Sequence, residues 1–184
     1  MSKSSTQSVR QVPHLIVDGY NLIHAWRVFR KILSEYGHAA VQSRLLDTIA
    51  PIHDSEGWRI TLVFDGNQQR AQIDTPLGAG GIAVIYASAQ MAADGVIERL
   101  LVQSRVDERV AVVSRDGAIT RLAYSLNKEV VGPQELEAWL ARIAQEGHQR
   151  TLRDQHTTPK TPPDPAWNPL VELRKHLVKP QGRS

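Results

Sequence analysis

The chain has 184 residues, of which 41% are apolar and 22% are charged, a composition typical of a globular protein with a real core. No run approaches the roughly 18 apolar residues of a membrane helix, and no apolar block follows the first basic residues, so we expect neither a membrane span nor a secretory signal. The absence of cysteine excludes disulfides, thiolate zinc sites and a cysteine nucleophile. It is compatible with a cytoplasmic location.

Charge and composition divide the chain into three parts. Residues 1–12 are polar and are expected to be disordered. Residues 13–146 form the expected domain. Together with the N-terminal segment, that is over residues 1–146, the chain holds 15 Lys and Arg against 16 Asp and Glu, which gives a net charge of −1. Residues 147–184 hold 7 against 3, a net charge of +4, and their proline-rich stretch predicts a stiff spacer in which residues 170–178 could form a short helix. A basic tail indicates an acidic partner such as nucleic acid.

Short apolar runs alternate with helical patterns along residues 13–146. The runs predict strands at 14–17, 59–64, 81–86, 109–113 and 129–131. Apolar residues recur at three- and four-residue spacing between them, which predicts helices over 32–49, within 88–104, over 117–126 and from Pro133 onward. Alternating strands and helices predict an α/β fold with a mainly parallel sheet covered on both faces.

Three of the predicted strands are followed by aspartate: Asp18 in VDGYN, Asp65 in VFDGN and Asp116 in VSRDG. The carboxyl ends of parallel strands meet at one edge of the sheet, where ligands bind in open α/β folds. Carboxylates gathered there repel one another unless a cation neutralises them, and hard oxygen ligands select Mg²⁺ or Mn²⁺. For any single aspartate, a turn or a helix cap is the competing explanation.

A fourth acid lies on the helix predicted within residues 88–104. Asp94 and Glu98 are four residues apart and therefore share one face of that helix. Ile97 and Leu101 continue nearly the same ridge, which should face the sheet. Asp94 is thus expected at the boundary of the apolar face, within reach of the cleft.

These segments, in this order, resemble the NYN domains of the PIN-like nuclease superfamily, and most of all their YacP-like branch. The resemblance rests on VDGYNLI from Val17, VFD from Val63, ADGVIER from Ala93 and VVSRD from Val112, and it covers about residues 13–145. It implies a three-layer α/β/α PIN-like fold and a Mg²⁺- or Mn²⁺-dependent endonuclease of single-stranded RNA. The bacterial members of the branch include ribosome-associated mRNA endonucleases, which makes the ribosome a candidate partner.

The resemblance also implies roles for individual residues. By motif position, Asp18, Asp94 and Asp116 correspond to the acidic metal-binding residues. Asp65 matches a further acid of the NYN pattern. Glu98 either completes the metal site or pairs with a basic side chain on the surface. The polar residues expected to act beside them in catalysis are Asn21 and Ser114. Arg115 departs from relatives, which often carry an acid or a small residue there.

Basic and aromatic side chains near the strand ends are candidates for holding RNA, namely Arg99, Arg115, Arg121 and Tyr20. A haloacid dehalogenase phosphatase is disfavoured because Tyr20 stands where its second aspartate is required. The alternative that stays open is a non-catalytic module of the same fold that binds RNA or the ribosome.

Overall fold

Within residues 12–75 and 80–157, which the computed structural model describes, six strands form a single sheet. They are β1 (His14–Asp18), β2 (Arg59–Phe64), β3 (Gln72–Asp74), β4 (Ile82–Tyr86), β5 (Val110–Val113) and β6 (Glu129–Val131). Their order across the sheet is β3-β4-β2-β1-β5-β6, and every neighbouring pair is parallel except β3 with β4. The predicted strands are all present, and the mainly parallel sheet is confirmed.

Helices cover both faces of the sheet. The described residues contain α1 (Gly19–Ala25), α2 (Arg27–Glu56), α3 (Ala93–Gln103), α4 (Gly117–Ser125) and α5 (Pro133–Thr157). Buried side chains of α1, α2 and α5 pack in one cluster against the sheet, and those of α3 and α4 pack in a second cluster. The three-layer α/β/α architecture of the PIN-like fold is therefore confirmed. None of the described helices is long and apolar enough to cross a membrane.

The central strand β1 supplies side chains to both clusters. Leu15 and Val17 lie in the cluster with α1 and α2, whereas Ile16 lies in the cluster with α3 and α4. All three are fully buried, as expected of a strand with helices on both sides. Side chains two residues apart along a strand thus point to the same layer of helices.

Two elements have no counterpart in the sequence prediction. Strand β3 is three residues long and exposed throughout, so it lacks the apolar run that marks the other strands. Helix α1 follows β1 without a loop, since Asp18 both ends the strand and caps the helix.

The long helix α2 is broken at Gly37, whose φ of 79° lies in the left-handed region that glycine adopts readily.

The last described helix passes the position at which the composition changes. The described residues divide into two units between Glu146 and Gly147, and the second unit is described only over the helical stretch to Thr157. The expected disorder of residues 1–12 falls almost entirely outside the described residues, as do most of the proline-rich spacer and the short helix at 170–178. The predicted boundary between the domain over residues 13–146 and the segment over residues 147–184 stays a prediction.

Gly19, the second residue of the DGYN sequence, packs against the side chain of Phe64. A Cβ atom at Gly19 would collide with the Phe64 ring, which is fully buried and has no room to move away. We therefore expect Gly19→Ala to lower the free energy of unfolding by about 1–3 kcal/mol, the usual effect of overpacking. Urea unfolding followed by circular dichroism measures the change.

The matched control is Gly147→Ala. A Cβ atom at Gly147 would have no neighbour within 4 Å, and alanine is the better helix former, so the free energy of unfolding should be unchanged or slightly raised. Equal stability of the two variants would contradict the close approach of Gly19 to Phe64.

Candidate active site

Strand alternation brings three polar side chains to one layer at the carboxyl edge of the sheet. Asp18, Ser114 and Asp65 each follow, by two residues, an apolar side chain of the cluster formed with α3 and α4. Those apolar residues are Ile16, Val112 and Val63. Because Ile16 pairs with Val112, and Asp18 pairs with Val63, the three strands end at nearly the same level.

Asp18 is the buried member of this group, with 5% of its surface exposed. Its Oδ1 accepts a hydrogen bond from the backbone N–H of Asn21 at 3.0 Å, which caps the N-terminus of α1. Its Oδ2 accepts one from the Ser114 hydroxyl at 3.1 Å. Both oxygens are thus held in place by neutral donors.

Ser114 and Asn21 join the end of β5 to the end of β1. The Ser114 hydroxyl oxygen also accepts from the backbone N–H of Asp116 at 3.0 Å, and the side-chain oxygen of Asn21 accepts from the backbone N–H of Arg115 at 3.1 Å. The loop that carries Asp116 is therefore fixed relative to Asp18.

Asp116 caps helix α4. A helix cap is the alternative to a metal-binding role that the sequence allows for an aspartate at this position. Its Oδ1 accepts from the backbone N–H groups of Ala118 at 2.7 Å and Ile119 at 3.1 Å. Its other carboxylate oxygen makes no hydrogen bond within the described part of the chain. Asp116 is half-buried, and that second oxygen is available to a ligand.

Asp65 determines where helix α3 begins. Ala92 stands at the N-cap position and has no side chain that could cap the helix; instead, Oδ1 of Asp65 accepts from the backbone N–H of Ala93 at 2.8 Å. The helix therefore starts at Ala93, five residues later than the start of the segment in which it was predicted. Asp94 is its second residue, next to the end of β2, and Glu98 lies one turn further on; both are exposed.

The carboxylates of this edge interact electrostatically. Burial raises the pKa of Asp18 above its ordinary value of 3.8; the hydrogen bonds from Asn21 and Ser114 oppose that rise, and the charges of Asp94 and Asp65 add to it. The pKa of Asp94 is also raised, first by desolvation and then by the negative charges of Asp116, Asp65 and Glu98.

No cationic side chain among the described residues forms an ion pair with these carboxylates. No salt bridge in that part of the chain involves Asp18, Asp65, Asp94 or Asp116. Over residues 12–75 and 80–157, no three His, Cys, Asp or Glu side chains are close enough together to hold a metal ion. The donor chemistry still fits a hydrated divalent ion, because Mg²⁺ commonly takes one or two carboxylates and completes its shell with water and phosphate oxygens.

Comparison with known families settles the relationship of this chain to others. A family model described as YacP-like NYN domain matches residues 15–174. The chain belongs to the YacP-like NYN family. NYN domains are a family of nucleases, which are hydrolases, and PIN-like nucleases generally use divalent metals. The family match ends at residue 174, whereas the resemblance based on sequence motifs ends at about residue 145. The YacP-like region therefore includes much of the basic segment 147–184.

Solved structures agree with the YacP-like fold. The crystal structure of a tryptophan-to-leucine mutant of Rae1 (YacP) from Bacillus subtilis has a TM-score of 0.65 and 21% identity, over 80% of this chain and 87% of that one. A second crystal structure of Rae1 (YacP) from Bacillus subtilis has a TM-score of 0.64 and 19% identity, over 90% of both chains. The search of curated proteins returned no match. At these identities the structural likeness supports the fold alone.

The three arginines predicted to hold RNA are exposed in the YacP-like domain. Arg99 follows Glu98 on α3, and Arg115 lies in the loop between Ser114 and Asp116. The guanidinium of Arg121 lies over Gly117 at the start of α4, with Nη1 3.0 Å from where a Cβ atom would be. None of the three forms a salt bridge with a described residue.

Tyr20 is half-buried on the other side of the sheet edge. Its ring packs edge-on against Phe64, with centroids 5.3 Å apart, and its hydroxyl is 2.7 Å from Nδ1 of His38. It lines a groove of about 730 Å³ that also contains Gln42, Arg70 and Tyr86. The sequence patterns do not single out these three residues, because each lies in a different element and only the fold brings them together.

The pKa of Asp18 predicts a pH-dependent stability. A carboxyl whose pKa is raised by folding stabilises the native state below its ordinary pKa, and that contribution is lost as the pH rises through the raised value. Asparagine cannot ionise and is an equally good N-cap. Asp18→Asn should therefore unfold at a higher urea concentration than the wild type at neutral pH, in the presence of EDTA, and the difference should disappear below about pH 3.8.

Asp47→Asn is the matched control, since Asp47 is exposed on α2 and forms no salt bridge among the described residues. It should change the urea midpoint little at either pH. A lower midpoint for Asp18→Asn at neutral pH would show that the charged carboxylate stabilises the fold and would contradict the raised pKa.

Proposed function

We propose that this protein is a divalent-metal-dependent endoribonuclease that hydrolyses single-stranded RNA in the cytoplasm. The observation that carries the proposal is the gathering of Asp18, Asp65, Asp94 and Asp116 at one edge of the sheet, without a cationic side chain paired to any of them in the described residues. Membership of a nuclease family supports the same conclusion.

In this proposal Asp18, Asp94 and Asp116 hold Mg²⁺ or Mn²⁺, one or two of them directly and the rest through bound water, and Asp65 and Glu98 add negative charge around them. A bound ion of this kind lowers the pKa of a coordinated water and offsets the charge that develops on the phosphate. The products expected from hydrolysis are a 5′ phosphate and a 3′ hydroxyl.

Ser114 and Asn21 have supporting roles that follow from their hydrogen bonds. The Ser114 hydroxyl orients the carboxylate of Asp18, and the backbone at Asp116 holds that hydroxyl in turn. The side-chain oxygen of Asn21 is engaged by Arg115, which leaves its amide N–H groups to donate to a phosphate oxygen or to the attacking water. Both residues therefore act at Asp18 or at the phosphate rather than as acids or bases.

Binding of the RNA backbone is assigned to Arg99, Arg115 and Arg121, whose side chains are exposed. Contacts of this kind to phosphates do not depend on base sequence. The ribosome is a proposed setting in which mRNA is presented to this edge, and the basic segment 147–184 is a proposed additional contact to RNA.

A non-catalytic module that binds RNA or the ribosome is the second candidate. A purely RNA-binding surface gains nothing from clustered carboxylates, because they repel phosphates. The buried position of Asp18 and the raised pKa of Asp94 are unfavourable features that a metal-dependent catalytic site would explain. Cleavage assays decide between the two.

Asp116 offers a variant that separates capping from catalysis. Asparagine at this position can still accept the hydrogen bonds from Ala118 and Ile119 that cap α4, but it carries no charge. We expect Asp116→Asn to keep its fold and to cleave 5′-labelled single-stranded RNA at least about a hundredfold more slowly than the wild type in Mg²⁺ or Mn²⁺. Gel electrophoresis of the products measures the rate and identifies the ends.

Asp47→Asn should cleave like the wild type, which excludes a general effect of removing one negative charge. If the wild type binds RNA and no cleavage is seen with either metal, with or without ribosomes, the non-catalytic module is the better description of this protein.

Metal binding can be measured without activity. A ligand that binds only the folded state stabilises it by about 2.7 kcal/mol at a hundred times its dissociation constant. We expect Mn²⁺ to raise the melting temperature of EDTA-treated wild type and to raise that of Asp94→Asn much less, whereas Asp47→Asn should respond like the wild type. An equal response of all three proteins would place the metal elsewhere.

A further inference from the structure

A groove of about 730 Å³ lies beside Asp65, on the side of the sheet that faces α2. Its walls come from the second half of α2, the loop after β2, and strands β3 and β4. Its volume is within the range of small-molecule sites in proteins. A single nucleotide is small enough to fit.

The floor of the groove is a chain of hydrogen-bonded polar groups. The hydroxyl of Tyr86 donates to Oε1 of Gln42 at 3.4 Å, and Nε2 of Gln42 donates to the hydroxyl of Tyr20 at 3.2 Å. Tyr86 also stacks on Phe64, with centroids 5.9 Å apart. The amide of Gln42 is thus held in one orientation, with a second N–H and a second lone pair available to a ligand.

The loop that closes one side of the groove is tied to the chain after β4. The backbone N–H of Ala87 donates to the carbonyl of Phe64 at 2.8 Å, and that of Ala89 donates to the carbonyl of Gln68 at 2.8 Å. A Cβ atom at Gly66 would collide with the carbonyl of Ala87. The loop therefore lies close against β4 and presents Gln68 and Arg70 to the groove.

Charge is arranged unevenly in the groove. Arg70 forms no salt bridge with any described residue, whereas Asp74 accepts a hydrogen bond from the side chain of Gln72 at 3.2 Å. Asp65 also lines the groove while it caps α3, the helix that carries Asp94. Asp65 therefore joins the groove directly to the carboxylate edge.

We propose that this groove binds one nucleotide of the single-stranded RNA, next to the phosphate at the carboxylate edge, with the base against Tyr20, Gln42 and Tyr86 and a phosphate at Arg70. Half-buried phenol rings and an oriented amide suit a base, which needs an apolar surface and hydrogen-bond partners at its edge. The inference rests on the proposed nuclease function and names a contact for its substrate.

The acidic side chains of the groove fit the sugar rather than the phosphate. Carboxylates accept hydrogen bonds from ribose hydroxyls, so Asp74 is a partner for a 2′-hydroxyl, which only RNA carries. A phosphate would be repelled by Asp65 and Asp74 and is attracted by Arg70. The nucleotide is thus expected to lie across the groove, with its sugar between the base at the tyrosines and the phosphate at the arginine.

Fluorescence anisotropy with the full chain tests the proposal. The probes are short, end-labelled homopolymers of A, C and U in EDTA, which prevents metal-dependent cleavage. Gln42→Leu and Arg70→Ala should each raise the dissociation constant about fivefold or more, and Gln42→Leu should also change the ratio of the constants among the three homopolymers. Gln103→Leu and Arg44→Ala, at exposed positions outside the groove, should leave binding within about twofold of the wild type.

Thermal unfolding of each variant checks the fold, and Arg70→Ala is informative even if Gln42→Leu is destabilised, because Arg70 is exposed. Wild-type affinity in both groove variants would overturn the nucleotide site, as would the absence of wild-type binding both in EDTA and in Mg²⁺. Cleavage assays in Mg²⁺ report separately on the nuclease. If the wild type cleaves RNA and the groove variants bind RNA normally, only the assignment of the groove is wrong. If the groove variants lose RNA binding and the wild type never cleaves, only the assignment as a nuclease is wrong.

Discussion

The candidate site depends on the in-register pairing of parallel strands. β1 lies between β2 and β5, and Asp18 is paired with Val63 while Val17 is paired with Val113. Because side chains alternate along each strand, a shift of one residue in either pairing would turn Asp18 away from Ser114 or from the end of β2. Burial of the apolar residues on both faces opposes such a shift, so the hydrophobic core itself determines where the polar groups meet.

Asp18 illustrates how a fold maintains an unfavourable group. Its carboxylate is buried and has only neutral hydrogen-bond donors as partners, and the neighbouring acids raise its pKa further. Neutral donors stabilise a carboxylate without cancelling its charge, so an attraction for cations remains. The surrounding sheet contributes the stability that tolerates this charge. Such sites are where a protein commonly exchanges stability for function.

Much of this arrangement was accessible from the sequence. Apolar runs that end in aspartate predict both the strands and the acids at their ends, and the spacing of Asp94 from Ile97 predicts that Asp94 lies at the boundary of the apolar face of its helix. Other features depend on tertiary contacts: Asp65 caps a helix 28 positions later in the chain, and β3 forms only by pairing with β4. The groove around Gln42 and Arg70 has no local pattern at all, because its parts come from separate elements.

The hydrogen bond between Asp18 and Ser114 spans 96 positions of the chain. During synthesis β1 is made well before its neighbour β5 and before the hydroxyl that orients Asp18. Contacts of such long range are slow to form, because the entropy cost of closing a long loop must be met first. A ribosome that is still making this protein therefore carries an incomplete carboxylate edge until Ser114 has left the exit tunnel.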